Sequence, residues 1–117
     1  MTTLKEKTEQ IRAWFSTCDI SNPSHQRALE RAVLILFARQ TADEQETEST
    51  HHLNSRGFNS RDADFGSAMA KAAMEIQRGT YPYPSLSPKM YQGLAKMMKK
   101  YARQIAEEAL KREQVGV

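Results

Sequence analysis

The chain has 117 residues, 39% of them hydrophobic and 26% charged, with a net charge of +3. That length supports one core and not two, and a lone cysteine, Cys18, excludes an intrachain disulfide and suits a reducing compartment. The longest apolar run, 32–38, is far too short to span a membrane, and the opening "MTTLKEKTEQ" lacks a signal peptide's apolar segment, so a cytoplasmic protein is expected.

Glycine and proline are scarce, which favours a helical domain with a long polar loop. Charge is unevenly spread. Residues 41–50, "TADEQETEST", hold four acids and no base, whereas residues 81–117 hold seven bases against three acids. Local charge therefore says more about partners than the net value does.

Residues 3–17 read as the first helix, with Leu4, Thr8, Ile11, Phe15 and Cys18 at helical spacing and Trp14 widening the apolar face. "CDISNPS" breaks it, because a proline disfavours helix at the residue before it. Ser24 can then cap a second helix over roughly 25–40. Its centre, "AVLILFA", is apolar nearly all round, which places this helix in the middle of the fold. Leu29, Val33, Leu36 and Phe37 are expected to be nearly fully buried. "TADE" has the form of a capping box, so a further short helical turn near 41–48 is expected.

The stretch "THHLNSRGFNSRDADFG", 50–66, follows. Gly57 and Asn59 are turn residues, and Asn59 is expected to accept from a backbone N–H near Asp62 at the start of a third helix over about 60–78. Phe65, Met69, Ala72, Ala73 and Ile76 make that helix's apolar stripe, and Gly79 stands where a helix C-terminus wants glycine. "TYPYPSLSP" reads as extended, Ser87 as a cap, and Pro88 as the first residue of a fourth helix running to about 112. The expected fold is an all-α, single-domain bundle of four main helices, with a long acidic loop between helices two and three.

Three groups of residues can carry chemistry. On the fourth helix, Leu94, Met97, Met98, Tyr101 and Ile105 share one face, and Lys89, Lys96, Lys99, Lys100 and Arg103 share the opposite one within an arc of roughly 100°. Such a stripe either tracks phosphates, releasing counterions, or is simply a solvated face. Tyr81 and Tyr83 either stack on unpaired bases or pack over the bundle's end. His51, His52, Asp62 and Asp64 have ligand chemistry, but their spacing fits no familiar metal-site pattern, so no metal is expected. Cys18 has no base partner visible in the sequence and reads as a core residue, and no phosphate-binding glycine loop is present, so no catalytic residue and no cofactor is assigned. Arg56 and Arg61 are better binding candidates than either aspartate.

"ARQTADEQETESTHHLNSRGFNSRDADFGSAMA" followed by "LSPKMYQGLAKMMKKYARQI" resembles a small helical module of phage and mobile-element proteins. Its pattern is RQTxDE, then GFNxxDAxFG, then Leu-Ser/Thr-Pro-Lys and a closing KYxxQ helix. The likeness covers about 38–105, with Gly57, Phe58, Asn59, Asp62, Ala63, Phe65, Lys100, Tyr101 and Gln104 as its matched core. The usual pattern has Asn-Gly before the Gly-Phe pair, where this chain has "NSRGFN". Some copies of the module are attached to phage or bacterial DNA helicases, which implies nucleic-acid work by association. The resemblance brings no catalytic residues.

The expected function is a non-catalytic nucleic-acid-binding module, DNA or RNA, with Lys96, Lys99, Lys100 and Arg103 on phosphates. Lys89, Arg56 and Arg61 extend that surface, and Tyr81 and Tyr83 stack. The alternative is a small helical protein-interaction subunit of a nucleoprotein complex, or a phage-encoded inhibitor of a host system. In that case the acidic segment 41–50 would be the active surface.

Overall fold

Thr3 starts the fold by capping the first helix: its hydroxyl accepts from the Glu6 N–H at 3.1 Å. The structure is a computed structural model that describes residues 3–47 and 57–115, and the side chains of 3–40 and 57–112. Helix α1, Leu4–Thr17, buries Thr8 and Phe15, with Ile11, Trp14 and Cys18 half-buried beside them.

Asn22, not Ser24, caps the second helix. Its Oδ1 accepts from the Ser24 N–H at 2.8 Å, and Pro23 takes the first helical position. The reason lies in the Asn-Pro pair itself: proline holds the preceding residue extended, as an N-cap requires, and proline's missing N–H is no loss in the first turn. Helix α2 runs from Pro23 to Thr47. "TADE" therefore continues this helix and opens no new one, since neither glycine nor proline interrupts it after Pro23. The connection to α3 begins after Thr47. Its residues 48–56, with His51, His52 and Arg56, lie outside the described residues.

Helix α2 contributes Leu29, Ala32, Val33 and Leu36 to the core. It is not wrapped on every side. Arg31 and Ala38 are exposed, Leu34 and Ile35 are half-buried, and Phe37, expected in full burial, is half-buried too. Its packing neighbours among the described helices are α3, α4 and α5.

Helix α3, Ala63–Arg78, starts a turn later than expected because residues 59–62 form a separate turn ahead of it. Its buried stripe is Gly66, Met69, Ala70 and Ala73. Met69 and Ala73 are buried as expected and Ala72 and Ile76 pack half-buried on the core, but Gly66 and Ala70 join the inner face and Phe65 is left 38% exposed. Small residues win the inner face because α3 packs closely on its neighbours. A Cβ built on Gly66 would lie 2.5 Å from the Phe58 ring. Gly79 ends α3 at φ 77°, where its own N–H and that of Thr80 satisfy the carbonyls of Ile76 and Glu75.

Ser87 caps α4, Pro88–Met98, by accepting from the Met90 N–H at 3.3 Å. The fourth rod then changes pitch. Lys99–Tyr101 form a 3₁₀ turn before α5, Ala102–Val115. Residues three apart eclipse in such a turn, so Met98 and Tyr101 both point inward. α1 packs chiefly on α5, and also on α4 and the 3₁₀ turn. The result is an all-α bundle of four helical rods, with no strand and no helix long and apolar enough to cross a membrane among the described residues.

Candidate nucleic-acid interface

The residues of the GFNxxD and KYxxQ pattern meet in one place. Gly57 adopts φ 81°, and a Cβ there would lie 2.4 Å from the Cβ of Gln40 on α2. Glycine is thus required for conformation and for space. Gln104 of α5 pairs with Gly57's backbone from both ends of its amide, accepting from the N–H at 2.8 Å and donating to the carbonyl at 3.0 Å. Gln40 accepts from the Phe58 N–H at 3.1 Å, and the Tyr101 hydroxyl accepts from the Asn59 N–H at 3.0 Å. Phe58 is buried edge-on against Tyr101 with ring centroids 5.9 Å apart. Arg39 ties α2 to α5 by donating to the Gln104 carbonyl and to Glu107, both at 3.0 Å. As expected, Asn59 Oδ1 accepts from the Asp62 N–H, at 2.9 Å. It closes the turn before α3 and is not the helix's own cap residue, which is Asp62.

Asp62 is the polar centre of this latch. Tyr101 donates to its Oδ2 at 2.6 Å and Lys100 Nζ lies 2.8 Å from the same atom. Burial opposes its ionisation, but the hydrogen bonds from Lys100 and Tyr101 and the charges of Lys100 and Arg61 outweigh that, holding its carboxyl below the usual range. Asp62 is thereby engaged as an anchor; Asp64 is exposed, and among the described residues no three potential ligands cluster for a metal.

Tyr101 is pushed up to about 12, first by burial and then by its bond to the Asp62 carboxylate. Tyr91 is likewise pushed up to about 12, by burial and its bond to Glu30. An unfolded tyrosine loses its proton near pH ~10. Both side chains therefore favour the fold below pH ~10, and that contribution is withdrawn as pH rises from ~10 towards the folded value near 12. Denaturation midpoints across this alkaline window should fall for the wild type. Tyr101→Phe, though weaker at neutral pH, should fall less steeply. A slope unaffected by the substitution would rule out this linkage.

The basic stripe is present but uneven. Lys89, Lys96 and Arg103 are exposed, but Lys99, which helical spacing puts on the same outer face, is half-buried. Lys100 is half-exposed and pairs with Asp62 through one of its three N–H donors, and Arg103 Nε lies 3.9 Å from Glu107. Among the described residues Lys89, Lys96 and Lys99 form no ion pair. Arg61 is exposed next to the latch. Arg103 also lines a groove of about 440 Å³ with Lys5, Glu9 and Arg12 of α1, so two further cations and one acid that the spacing of the fourth helix alone does not reveal stand beside it. The Tyr81 and Tyr83 rings meet edge-on at 6.0 Å; Tyr81 is half-buried on the core, and Tyr83 is 67% exposed.

A second groove, of about 510 Å³, lies between α3 and the fourth rod and is lined by Asp62, Phe65, Gly93, Lys96, Met97 and Lys100. Gly93 lets Phe65 in: a Cβ there would lie 3.0 Å from the ring's Cζ. A glycine inside an otherwise regular helix was the one sequence signal for this close approach. Cys18 is half-buried and donates weakly to the Phe15 carbonyl at 3.6 Å; burial pushes its thiol up, away from a reactive thiolate. No family model, curated protein or solved structure matches the chain.

Proposed function

We propose that the chain is a non-catalytic nucleic-acid-binding module that holds phosphates on its fourth helical rod. The observation that carries this reading is the set of exposed cations on α4 and the start of α5, Lys89, Lys96 and Arg103, with Lys99 half-exposed beside them. Lys5 and Arg12 continue the surface across the groove that Arg103 lines. Each cation brought to a phosphate releases condensed counterions, so binding of this kind is strong at low salt and weak at high salt. The helicase company of the module that the chain resembles points the same way. Phosphate contacts carry no sequence information directly, so base discrimination should be weak. Arg61 and Tyr83 remain available to extend the surface.

Titration of oligonucleotides at several salt concentrations tests the reading. Lys89→Gln, Lys96→Gln and Arg103→Gln should each weaken binding similarly across sequences. Each should lower the salt slope by roughly 0.7 on single strands or 0.9 on duplex. Melting should stay within about 0.5 kcal/mol of wild type, because these side chains are exposed. Lys100→Gln should also loosen the latch, since Lys100 is paired with Asp62. If neither wild type nor variants bind any strand at low salt, the row is a solvated face. A protein-interaction subunit or host-directed inhibitor, acting through segment 41–50, is then the reading to pursue.

A further inference from the structure

We infer that the groove between α3 and α4 is a single-strand site in which Phe65 stacks on an unpaired base while Lys96 and Lys100 hold the flanking phosphates. This rests on the nucleic-acid reading and names the strand type that reading leaves open.

Phe65 is the large apolar side chain that the fold leaves most conspicuously uncovered on α3, at 38% exposure. It is held at its tip, where the ring's Cζ approaches Gly93. Lys96 and Lys100 stand one helical turn apart, roughly 6 Å along the axis, and line the same groove. Its volume of about 510 Å³ lies in the range of small-ligand sites. Asp62 is the acid at the rim, and its carboxylate is already engaged by Tyr101 and Lys100. Lys96 has no such partner among the described residues.

The occupant that matches is anionic and carries a flat apolar surface next to its charge. A single strand repeats that combination at every nucleotide, and aromatic platforms beside a cationic track are how such strands are held. A duplex keeps its bases stacked inside and cannot offer one to the ring without flipping it out. The groove thus separates the strand types, while the exposed cations elsewhere on the rod bind both.

The test uses the full chain and three labelled probes: an oligothymidylate, a duplex of equal length, and an oligomer of abasic residues that keeps the phosphates and lacks the bases. Phe65→Ala should weaken oligothymidylate binding roughly 5- to 150-fold and leave the duplex, the abasic probe and the salt slope unchanged. Phe65→Leu, which keeps an apolar contact for Gly93, should lose the same preference even if the alanine variant folds poorly. Phe65→Tyr should retain it. A 5-iodouracil strand should photocrosslink at Phe65. If wild type binds the three probes equally and Phe65→Leu changes nothing, the platform is wrong while the phosphate-binding reading stands. If wild type binds none of the probes at low salt, both are wrong.

Discussion

Replacing Gly57 by alanine is expected to cost roughly 2–5 kcal/mol, while the same change at Gly79 should cost only about 1–2. Both glycines have left-handed backbones, φ 81° and φ 77°. An alanine at either site carries the left-handed strain, about 1–2 kcal/mol. The sites differ in what surrounds them. Nothing lies within 4 Å of a Cβ on Gly79. A Cβ on Gly57 would meet Gln40 Cβ at 2.4 Å, its Cα at 2.8 Å and its N at 3.0 Å. Those are atoms of the α2 backbone or fixed directly to it, so they cannot swing aside as the end of a long side chain can. Overpacking of this kind adds about 1–3 kcal/mol. The damage should also spread, because moving Gly57 away from α2 withdraws its backbone from Gln104 and the Phe58 N–H from Gln40. Denaturant unfolding of the two variants beside wild type checks the difference. Equal losses would mean that the close approach to α2 does not hold the loop in place.

The latch explains which parts of the fold were legible. Helix ends governed by one or two neighbouring residues read correctly: Ser87 with Pro88 begins α4, Gly79 ends α3, and Asn59 accepts from Asp62. Each uses chemistry that a short window contains. The inner face of the fourth rod, Leu94, Met97, Met98 and Tyr101, also read correctly, because burial follows helical spacing. The resemblance picked out Gly57, Phe58, Asn59, Lys100, Tyr101 and Gln104 without saying what joins them. The bonds of Gly57 and Asn59 to Gln104 and Tyr101 link segments some forty residues apart, each between one backbone and one side chain, so no pairing pattern appears in the sequence.

The misreadings have a common cause. Phe65 was read as core because large apolar residues usually are, yet the inner face of α3 was taken by Gly66, Ala70 and Ala73, whose smallness lets Phe58 and α2 come close. Phe37 was read as fully buried from the apolar run around it, but it packs half-buried against the core. In both cases the number and placement of neighbouring helices decided exposure, and periodicity within one helix does not contain that information. Lys100 and Asp62 show the same limit for charge. Neither residue's own helix announces that they pair across the bundle, a contact that still leaves the Lys100 side chain half-exposed.

Glu30 was the polar residue with least warning, and it supports the second large expected effect: Tyr91→Phe should destabilise the fold by about 1–3 kcal/mol. Glu30 is 2% exposed in the middle of α2, and Tyr91 is fully buried on α4. The Tyr91 hydroxyl donates to Glu30 Oε2 at 2.6 Å and accepts from the Leu86 N–H at 3.1 Å. Arg27 holds the other carboxylate oxygen, its Nη1 2.6 Å from Oε1. Phenylalanine would keep the ring's packing and remove both hydroxyl bonds. A buried carboxylate oxygen would lose its donor, and a buried N–H at the end of the "TYPYPSLSP" segment would lose its acceptor. The unmet groups, more than the lost bond, set the cost. A further comparison separates these terms. Glu30→Leu removes the acceptor along with its charge, so the pair Tyr91→Phe with Glu30→Leu should be less damaging than the sum of the single changes. Urea unfolding of wild type, the two single variants and the double variant gives the coupling directly. A Tyr91→Phe protein as stable as wild type would show that water or a shifted Arg27 can satisfy the carboxylate, and that apolar packing alone seats α4 on α2.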